Sequence, residues 1–175
     1  MESSLKELYS RVQACRKCPA VIHTKSWHKG EDGRVLFVGI QPSWKGHPEN
    51  TNARADIQRY FEEFWKLKEE YGLGKFRFTN FVKCATNTAS KYPLEQEFEN
   101  CFGYLKEEIQ IFGTQLLVII GLKYNKQRII NRVRVSTTWC YHYAAQSAIQ
   151  RDYQTKQRKR FESIRDQVTR LGIIS

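Results

Sequence analysis

The chain has 175 residues, of which 41% are hydrophobic and 13% aromatic, and this composition excludes a disordered chain. The length suits a single domain over residues 1–175 that is large enough to bury a core. No stretch approaches the ~20 apolar residues of a membrane span, and the N-terminus has no signal-peptide core, so we expect an intracellular, cytoplasmic protein without a membrane partner.

The chain is strongly basic. Its 29 lysine and arginine residues outnumber 18 aspartate and glutamate residues, which gives a net charge of +11. An excess of cations favours polyanionic partners, because each phosphate that a protein neutralises releases counterions. The charge therefore predicts nucleic-acid binding, and the alternative is a basic surface without a specific partner.

Helical and strand patterns alternate along the chain. In the first half, Ser4 and Glu7 form a capping box, which predicts a helix with Ser4 as its N-cap. The predicted elements of this half are a helix to about Cys15, an irregular connection over 19–33, a strand Arg34–Ile40, a helix Ala55–Tyr71 and a strand Phe76–Val82.

The second half continues this alternation. Its predicted elements are a helix that opens at Pro93, a strand Leu116–Ile120, a short basic helix Leu122–Asn131, a strand Val133–Tyr141 and a helix Ser147–Leu171. Strands that alternate with helices predict an α/β fold, in which a parallel sheet is covered by helices on both faces.

Ligands of such sheets bind beyond the carboxyl ends of the strands. This rule selects the turn Gly39–Trp44 after the first strand, the segment Asn80–Cys84 at the second, and His142 after the fourth. Gln41 lies at the centre of the turn. We expect the three segments to share one site. The alternative for Asn80 is a strand-end cap, and a single histidine near a strand end is more often structural.

Five cysteines in an intracellular chain, an odd number, argue against a disulfide framework. Cys15 and Cys18 form a C-x2-C pair in a polar stretch, and Cys84 and Cys101 follow with C-x16-C spacing. Four thiolates in this layout suit a zinc ion or an iron–sulfur cluster. Buried structural thiols are the alternative, which fits Cys101 on its apolar helix face better than the C-x2-C pair. Cys140 lies inside the fourth strand and is predicted to be a core thiol.

Several sequence motifs occur in a characteristic order. They are G-I-Q-P-S after the first strand, F-T-N-F-V-K-C at the second, the helix with Cys101, and Y-H-Y after the fourth strand. Over roughly residues 15–145 this order resembles the uracil-DNA glycosylase superfamily, and the cysteine layout resembles its iron–sulfur branch, family 4. The resemblance implies a three-layer α/β/α fold with a central four-stranded parallel sheet. It also implies a structural [4Fe–4S] cluster with ligands Cys15, Cys18, Cys84 and Cys101.

The resemblance further implies hydrolysis of the N-glycosidic bond of uracil, or a related deaminated base, flipped out of DNA in base-excision repair. By position, Asn80 would read the uracil edge and His142 would stabilise negative charge on the departing O2 atom. Gln41 takes the place of the residue that holds the attacking water. The implied substrate-binding residues are Gly39, Ile40, Pro42, Ser43, Trp44 and Asn80. The implied partner is DNA with the damaged base, bound by a monomer that is nucleoid-associated when on DNA.

The site motifs depart from the family pattern in two places. Ile40 replaces an acidic residue that family 4 usually has, and Ala144 replaces a serine that helps to grip DNA. Two alternatives therefore accompany the glycosylase interpretation: a catalytically weak or silent iron–sulfur protein that binds DNA, and a zinc-bearing nucleic-acid module. The basic run K-Q-R-K-R over 156–160 predicts a phosphate-binding strip or a nuclear address, with a solvated helix face as the alternative.

Overall fold

A computed structural model of the chain describes residues 2–18, 21–24, 29–40, 51–86, 95–121, 129–142 and 152–174. The elements in chain order are α1 Glu2–Ala14, β1 Val21–Thr24, β2 Asp32–Gly39, α2 Thr51–Glu70, β3 Phe76–Asn80, β4 Cys84–Thr86, α3 Glu95–Phe112, β5 Leu116–Ile120, β6 Ser136–Cys140 and α4 Tyr153–Arg170. Among these helices, none has both the length and the apolar character needed to cross a bilayer.

The main sheet has the strand order β3-β2-β5-β6, and all neighbouring strands run parallel. In the register of β2, Phe37 pairs with Phe78 on one side and with Val118 on the other. All five residues of β5 are buried, as expected for a parallel strand covered on both faces. The predicted four-stranded parallel sheet is therefore confirmed.

Helices cover both faces of this sheet. Consecutive residues of a strand point to opposite faces, and Leu36 and Phe37 of β2 are both fully buried. The Phe37 face packs against Phe64 of α2 and Phe161 of α4. The Leu36 face packs against α3, through side chains that include Leu105, and against α1. These layers confirm the predicted three-layer α/β/α architecture.

A second, two-stranded sheet corrects two of the sequence predictions. Residues 21–24, predicted to be irregular, form β1, which pairs antiparallel with β4 so that Thr24 lies opposite Cys84. The strand predicted over Phe76–Val82 ends at Asn80. Beyond it the Phe81 N–H donates to the carbonyl of Gly39 (2.8 Å), and the chain bends before β4 begins. Cys84 therefore opens a separate strand, β4.

Several predicted boundaries also differ from the structure. Helix α1 begins at Glu2, so Ser4 lies inside it and is not its N-cap, and α2 begins at Thr51, before the predicted Ala55. Strand β6 begins at Ser136 and not at Val133, because the first residue of β5 pairs with Ser136 and offers no partner to earlier residues. Helix α3 begins at Glu95, while Pro93, residues 122–128 of the predicted basic helix, and Ser147 lie outside the described residues.

Candidate functional site

The carboxyl ends of the four parallel strands lie along one edge of the main sheet. At this edge Gly39, the last residue of β2, is the register partner of Asn80, the last residue of β3. Gly121 follows β5, and His142 comes two residues after the end of β6. The structure thus brings Gly39, Ile40, Asn80 and His142, from three predicted segments, to a common edge. Gln41, Pro42, Ser43 and Trp44 lie outside the described residues.

The side-chain amide of Asn80 lies directly against Gly39. A Cβ atom added to Gly39 would lie only 2.7 Å from Oδ1 of Asn80 and 3.3 Å from Cζ of Phe78. Asn80 is buried, with 4% of its surface exposed. A side chain at this position would therefore displace the Asn80 amide.

A buried network of charged and hydroxyl groups contacts the backbone of Asn80. The Lys83 ammonium group donates to the Asn80 carbonyl (2.5 Å) and to Oγ1 of Thr79 (3.0 Å), and forms an ion pair with Glu108 (2.6 Å). The hydroxyl groups of Thr79 and of Tyr9 in α1 both donate to the Glu108 carboxylate (3.0 Å each). Lys83 and Glu108 are 1% and 0% exposed. Their charges are thus compensated within the protein.

Sequence reasoning placed Lys83 within a motif but gave it no role, and it missed Glu108 altogether. A signal for Glu108 does exist in the sequence. It follows Cys101 by seven residues and Leu105 by three, so it lies on the apolar face of α3. A carboxylate on an apolar helix face needs a buried partner, and a lysine within F-V-K-C is the corresponding cation.

The side chains of His142 and Ile40 both lie close to Gly121. A Cβ atom added to Gly121 would lie 3.8 Å from Cβ and Cδ2 of His142, and 3.8 Å from Cδ1 of Ile40. The φ angle of Gly121 is +109°, which also favours glycine. Burial lowers the pKa of His142 to about 4, because removal from water disfavours the imidazolium. The imidazole is therefore neutral near pH 7.

The four cysteines of the predicted metal site lie in one neighbourhood. Cys15 and Cys18 follow α1, Cys84 begins β4, and Cys101 lies on α3. The Asn100 side chain connects α3 to the segment after α1, since its amide donates to the carbonyl of Lys17 (3.3 Å) and to Sγ of Cys18 (3.4 Å). Cys140, by contrast, is fully buried in the core between the sheet, α2 and α4, which confirms its prediction as a core thiol.

Burial and the proximity of the other thiols affect the pKa values of Cys84 and Cys101. Burial, and next the charges of Cys101, Cys15 and Cys18, raise the pKa of the Cys84 thiol to about 12. Burial also raises the pKa of Cys101, which accepts a hydrogen bond from the Lys83 N–H (3.5 Å). As a free thiol Cys84 is thus unreactive. Within the described ranges, no three His, Cys, Asp or Glu side chains converge closely enough to hold a single metal ion.

The cations of the basic run 156–160 are largely engaged by the protein itself. Lys156 lies 3.6 Å from Asp152, and Arg158 forms an ion pair with Glu70 of α2. The Arg160 guanidinium lies 3.8 Å from the ring centre of Trp139. Gln157, inside the run, is buried. Three of these cations thus contact neighbouring side chains, but surface ion pairs are weak, so the phosphate-binding strip stays a prediction beside the solvated helix face.

Comparison with known proteins assigns the family. The sequence model of the Uracil DNA glycosylase superfamily matches residues 28–168, a range that contains the whole parallel sheet, Asn80 and His142 but not the C-x2-C pair. A type-4 uracil-DNA glycosylase of Pyrobaculum aerophilum is 27% identical over 120 residues. That alignment covers 67% of this chain and 61% of the relative, so the chain spans less than two thirds of that protein. Since the family match covers well over half of the residues, and the motif order resembles the same family, the chain belongs to the uracil-DNA glycosylase superfamily.

Proposed function

We propose that the protein hydrolyses the N-glycosidic bond of uracil, or of a related deaminated base, flipped out of DNA. One observation carries this proposal: a buried side-chain amide and a neutral imidazole lie at the same edge of the parallel sheet. The amide belongs to Asn80, which lies against Gly39, and the imidazole belongs to His142, beside Gly121. Both are located where parallel α/β sheets bind their ligands.

Asn80 is suited to reading the edge of uracil. A side-chain amide offers one acceptor and two donors, and uracil presents an N3–H donor next to its O4 acceptor. Cytosine presents the reversed pattern, so the same amide orientation rejects it. The pairing of Lys83 with the Asn80 carbonyl holds the backbone from which this amide projects. The pocket therefore discriminates by a fixed donor–acceptor pattern.

His142 is suited to stabilising the departing base. When the bond between C1′ of the sugar and N1 of uracil breaks, the electron pair leaves with the base and negative charge develops on N1 and O2. A neutral imidazole N–H donates a hydrogen bond to that charge, which is an oxyanion-type contact. In this proposal a water adds to C1′ of the sugar, releases its proton to solvent, and is oriented by Gln41 through hydrogen bonding rather than by base catalysis.

We further propose that Cys15, Cys18, Cys84 and Cys101 hold a [4Fe–4S] cluster with a structural role. The donor set has the right chemistry, because burial and next the three other thiols disfavour the Cys84 thiolate, and a cationic centre would stabilise thiolates at this place. When bound, the cluster would cross-link the end of α1 to β4 and α3. The Asn100 hydrogen bonds already join two of these segments.

The activity is tested by single-turnover incubation with a uracil-containing oligonucleotide, scored for abasic sites by alkaline cleavage. We expect cleavage at uracil and none in the matched thymine oligonucleotide. His142→Ala should slow base release by ~10²–10³, the typical cost of losing an oxyanion-type donor. His28→Ala, at a histidine without a predicted role, is the control. Absence of uracil release from the unmodified protein would refute the proposed activity.

The cluster is tested separately, on anaerobically purified protein. We expect a brown protein with about four iron and four sulfide per chain, as a single cubane cluster requires. Cys84→Ala should lose the colour. The matched control is Cys140→Ala, which removes a thiol that is also buried in a strand but lies in the core between α2, α4 and the sheet. Stoichiometric zinc without iron would contradict the cluster.

A second function, DNA binding without cleavage, is favoured by one observation. The side chain of Ile40, which replaces the acidic residue usual in family 4, lies near that of His142, since atoms of both are 3.8 Å from a Cβ atom added to Gly121. An apolar group at this place cannot activate water. The same oligonucleotide experiment separates the two functions, because a silent binder retains salt-dependent affinity for uracil-containing DNA while releasing no base.

A further inference from the structure

The backbone that carries His142 is held by side chains of α4 and not by a neighbouring strand. The last ladder bond of β6 runs from the Gly121 N–H to the Cys140 carbonyl (3.0 Å). Consecutive residues of an extended strand direct their peptide groups to opposite sides, so those of Tyr141 point away from β5. In the described sheet β6 is the edge strand on that side. The peptide groups of Tyr141 thus need another partner.

Gln157 supplies this partner. The Tyr141 N–H donates to Oε1 of Gln157 (2.9 Å), and Nε2 of Gln157 donates to the Tyr141 carbonyl (3.0 Å). The side-chain amide therefore pairs with Tyr141 as a strand would. Gln157 is 2% exposed, so both ends of a buried amide are used for this contact.

Tyr153, one helical turn before Gln157, adds a third bond. Its hydroxyl group donates to the carbonyl of His142 (2.9 Å), and its ring packs against that of Tyr141 with the centroids 6.1 Å apart. Tyr153 is 4% exposed. The two side chains face the strand together because residues four apart share one helix face. We call Tyr153 and Gln157 the α4 clamp.

The clamp determines the direction in which the His142 side chain leaves the backbone. The carbonyl of Tyr141 belongs to the peptide group before the His142 Cα atom, and the carbonyl of His142 belongs to the peptide group after it. Both carbonyls are bonded to the clamp. With both flanking peptide planes held, the Cα–Cβ bond of His142 has a defined orientation. An oxyanion-type donor needs such precision, since a misplacement of ~1 Å costs about 10²-fold in rate.

We propose that Tyr153 and Gln157 are positioning residues that hold the His142 imidazole in place for the departing base. This inference rests on the proposed function. Their hydrogen bonds go to the backbone of Tyr141 and His142, and the Tyr153 ring packs on that of Tyr141, so we expect them to act through His142 and not on the substrate. Their effect on base release should therefore disappear when the imidazole is absent.

The test is a double-mutant cycle on single-turnover uracil release. Tyr153→Phe keeps the buried ring and removes the hydroxyl, and Gln157→Met keeps the length and removes the amide. We expect each to slow base release by about 10-fold or more without weakening DNA binding, since geometry at the reacting atoms is lost. Neither should slow the His142→Ala variant further. Gln154→Met, at an exposed glutamine in the same turn of α4, is the matched control and should leave the rate unchanged.

Equal slowing of the unmodified protein and of His142→Ala would overturn the inference, because it would indicate a structural role alone. Unchanged rates in Tyr153→Phe and Gln157→Met would overturn it as well. Thermal unfolding of each variant verifies that the protein is folded in the assay.

A readout that does not depend on activity separates this inference from the proposed function. In Gln157→Met we expect the Tyr141 amide to lose protection from hydrogen exchange and the NMR signals of the His142 ring to shift and broaden. Gln154→Met should change neither. If the unmodified protein releases no uracil but these signals respond, the proposed function fails while the clamp stands. If the His142 ring signals stay unchanged in both clamp variants, the clamp does not position the imidazole.

Discussion

The two side chains of the candidate site are held in different ways. Beneath Asn80 lies a fully buried ion pair, Lys83 with Glu108, whereas the backbone of His142 is held by the neutral groups of Tyr153 and Gln157. Removing one member of a buried ion pair leaves an uncompensated charge, while removing one neutral hydrogen bond costs much less. The Asn80 side should therefore be coupled to the stability of the whole domain. The His142 side should be able to change geometry while the fold persists.

The difference follows from where the two residues lie. Asn80 ends β3, which is covered by α3. Glu108 lies on this helix, and Tyr9 of α1 donates a hydrogen bond to it. β3 and β6 are the two edge strands of the main sheet, but at the end of β6 the Tyr141 N–H, on the side away from β5, donates to the side chain of Gln157 in α4. The buried charges of Lys83 and Glu108 are compensated because each has several hydrogen-bond partners at the end of β3. At the end of β6 the neutral groups of Tyr153 and Gln157 complete the backbone hydrogen bonds, so no buried charge needs a partner there.

The largest expected effect is the loss of stability in Lys83→Met. This change leaves the Glu108 carboxylate buried without its cation, which typically costs about 3–5 kcal/mol. Chemical denaturation of the variant measures this loss. The double variant Lys83→Met/Glu108→Leu removes both charges and should recover most of it. If the single variant is as stable as the unmodified protein, the ion pair does not support the Asn80 side and the contrast with His142 is wrong.

The next effect concerns Gly39→Ala. The new Cβ atom would lie 2.7 Å from Oδ1 of Asn80, so the amide must rotate away, at a cost of about 1–3 kcal/mol for overpacking. We expect slower uracil release and weaker discrimination against cytosine, measured on matched oligonucleotides. Gly103→Ala on α3 is the control, because among the described residues, apart from its chain neighbours and its own helix backbone, no atom lies within 4 Å of the new methyl group, and helix propensity favours alanine. An active, selective Gly39→Ala protein would contradict the proposed role of the Asn80 amide.

The neutral His142 predicts a smaller effect, which appears as a dependence of stability on pH. Burial lowers its pKa from 6.5 to about 4 in the folded chain, so between these values the unfolded chain binds an additional proton. Stability should therefore fall as the pH drops from 6.5 towards 4, by at most about 1.4 kcal/mol per pH unit from this group. The difference between the unmodified protein and His142→Asn, followed by urea unfolding at several pH values, isolates the contribution. A difference that is independent of pH would show that the imidazole is not held neutral.

The smallest effect is expected for a surface ion pair. Arg11 of α1 and Glu107 of α3, the residue before Glu108, form such a pair, and their side chains are 55% and 37% exposed. Solvent screening removes most of the attraction, so Arg11→Ala should leave the midpoint of urea unfolding unchanged within error. Comparison of the stability losses of Arg11→Ala and Lys83→Met distinguishes the effect of burial from the effect of charge pairing. A loss comparable with that of Lys83→Met would mean that burial is not what distinguishes the two pairs.

Much of the fold was predictable because its signals are local. The apolar runs Arg34–Ile40 and Leu116–Ile120 predict strands buried on both faces, and the structure has β2 and β5 there. Helical periodicity located α2 and α3, although it marks the buried face and so misplaced the first residue of α2. The small sheet of β1 and β4 was missed. Its strands are only four and three residues long, and their pairing joins segments about 60 residues apart.

For the candidate site, the sequence indicated residue types at strand ends but not their supports. Asn80 and His142 follow predicted strands, and the rule for parallel sheets places such residues at one edge. Glu108 on α3, the partner of Lys83, is 25 residues away from it in the sequence. Gln157 on α4, the partner of Tyr141, is 16 residues away from it. Gln157 sits within a basic run, where its neighbours predict a solvent-facing helix surface. No local pattern indicates that its amide faces a strand.

The sequence by itself therefore determined the parallel α/β class, the order of the motifs and the candidate residues, because hydrophobic periodicity and strand-end positions act over a few residues. Only the tertiary structure decided which groups are buried together. It pairs Lys83 with Glu108, places the Asn80 amide in the space of a side chain at Gly39, and makes the His142 imidazole neutral. Each of these depends on desolvation and on distances between segments remote in the chain, which arise when the helices pack on the sheet.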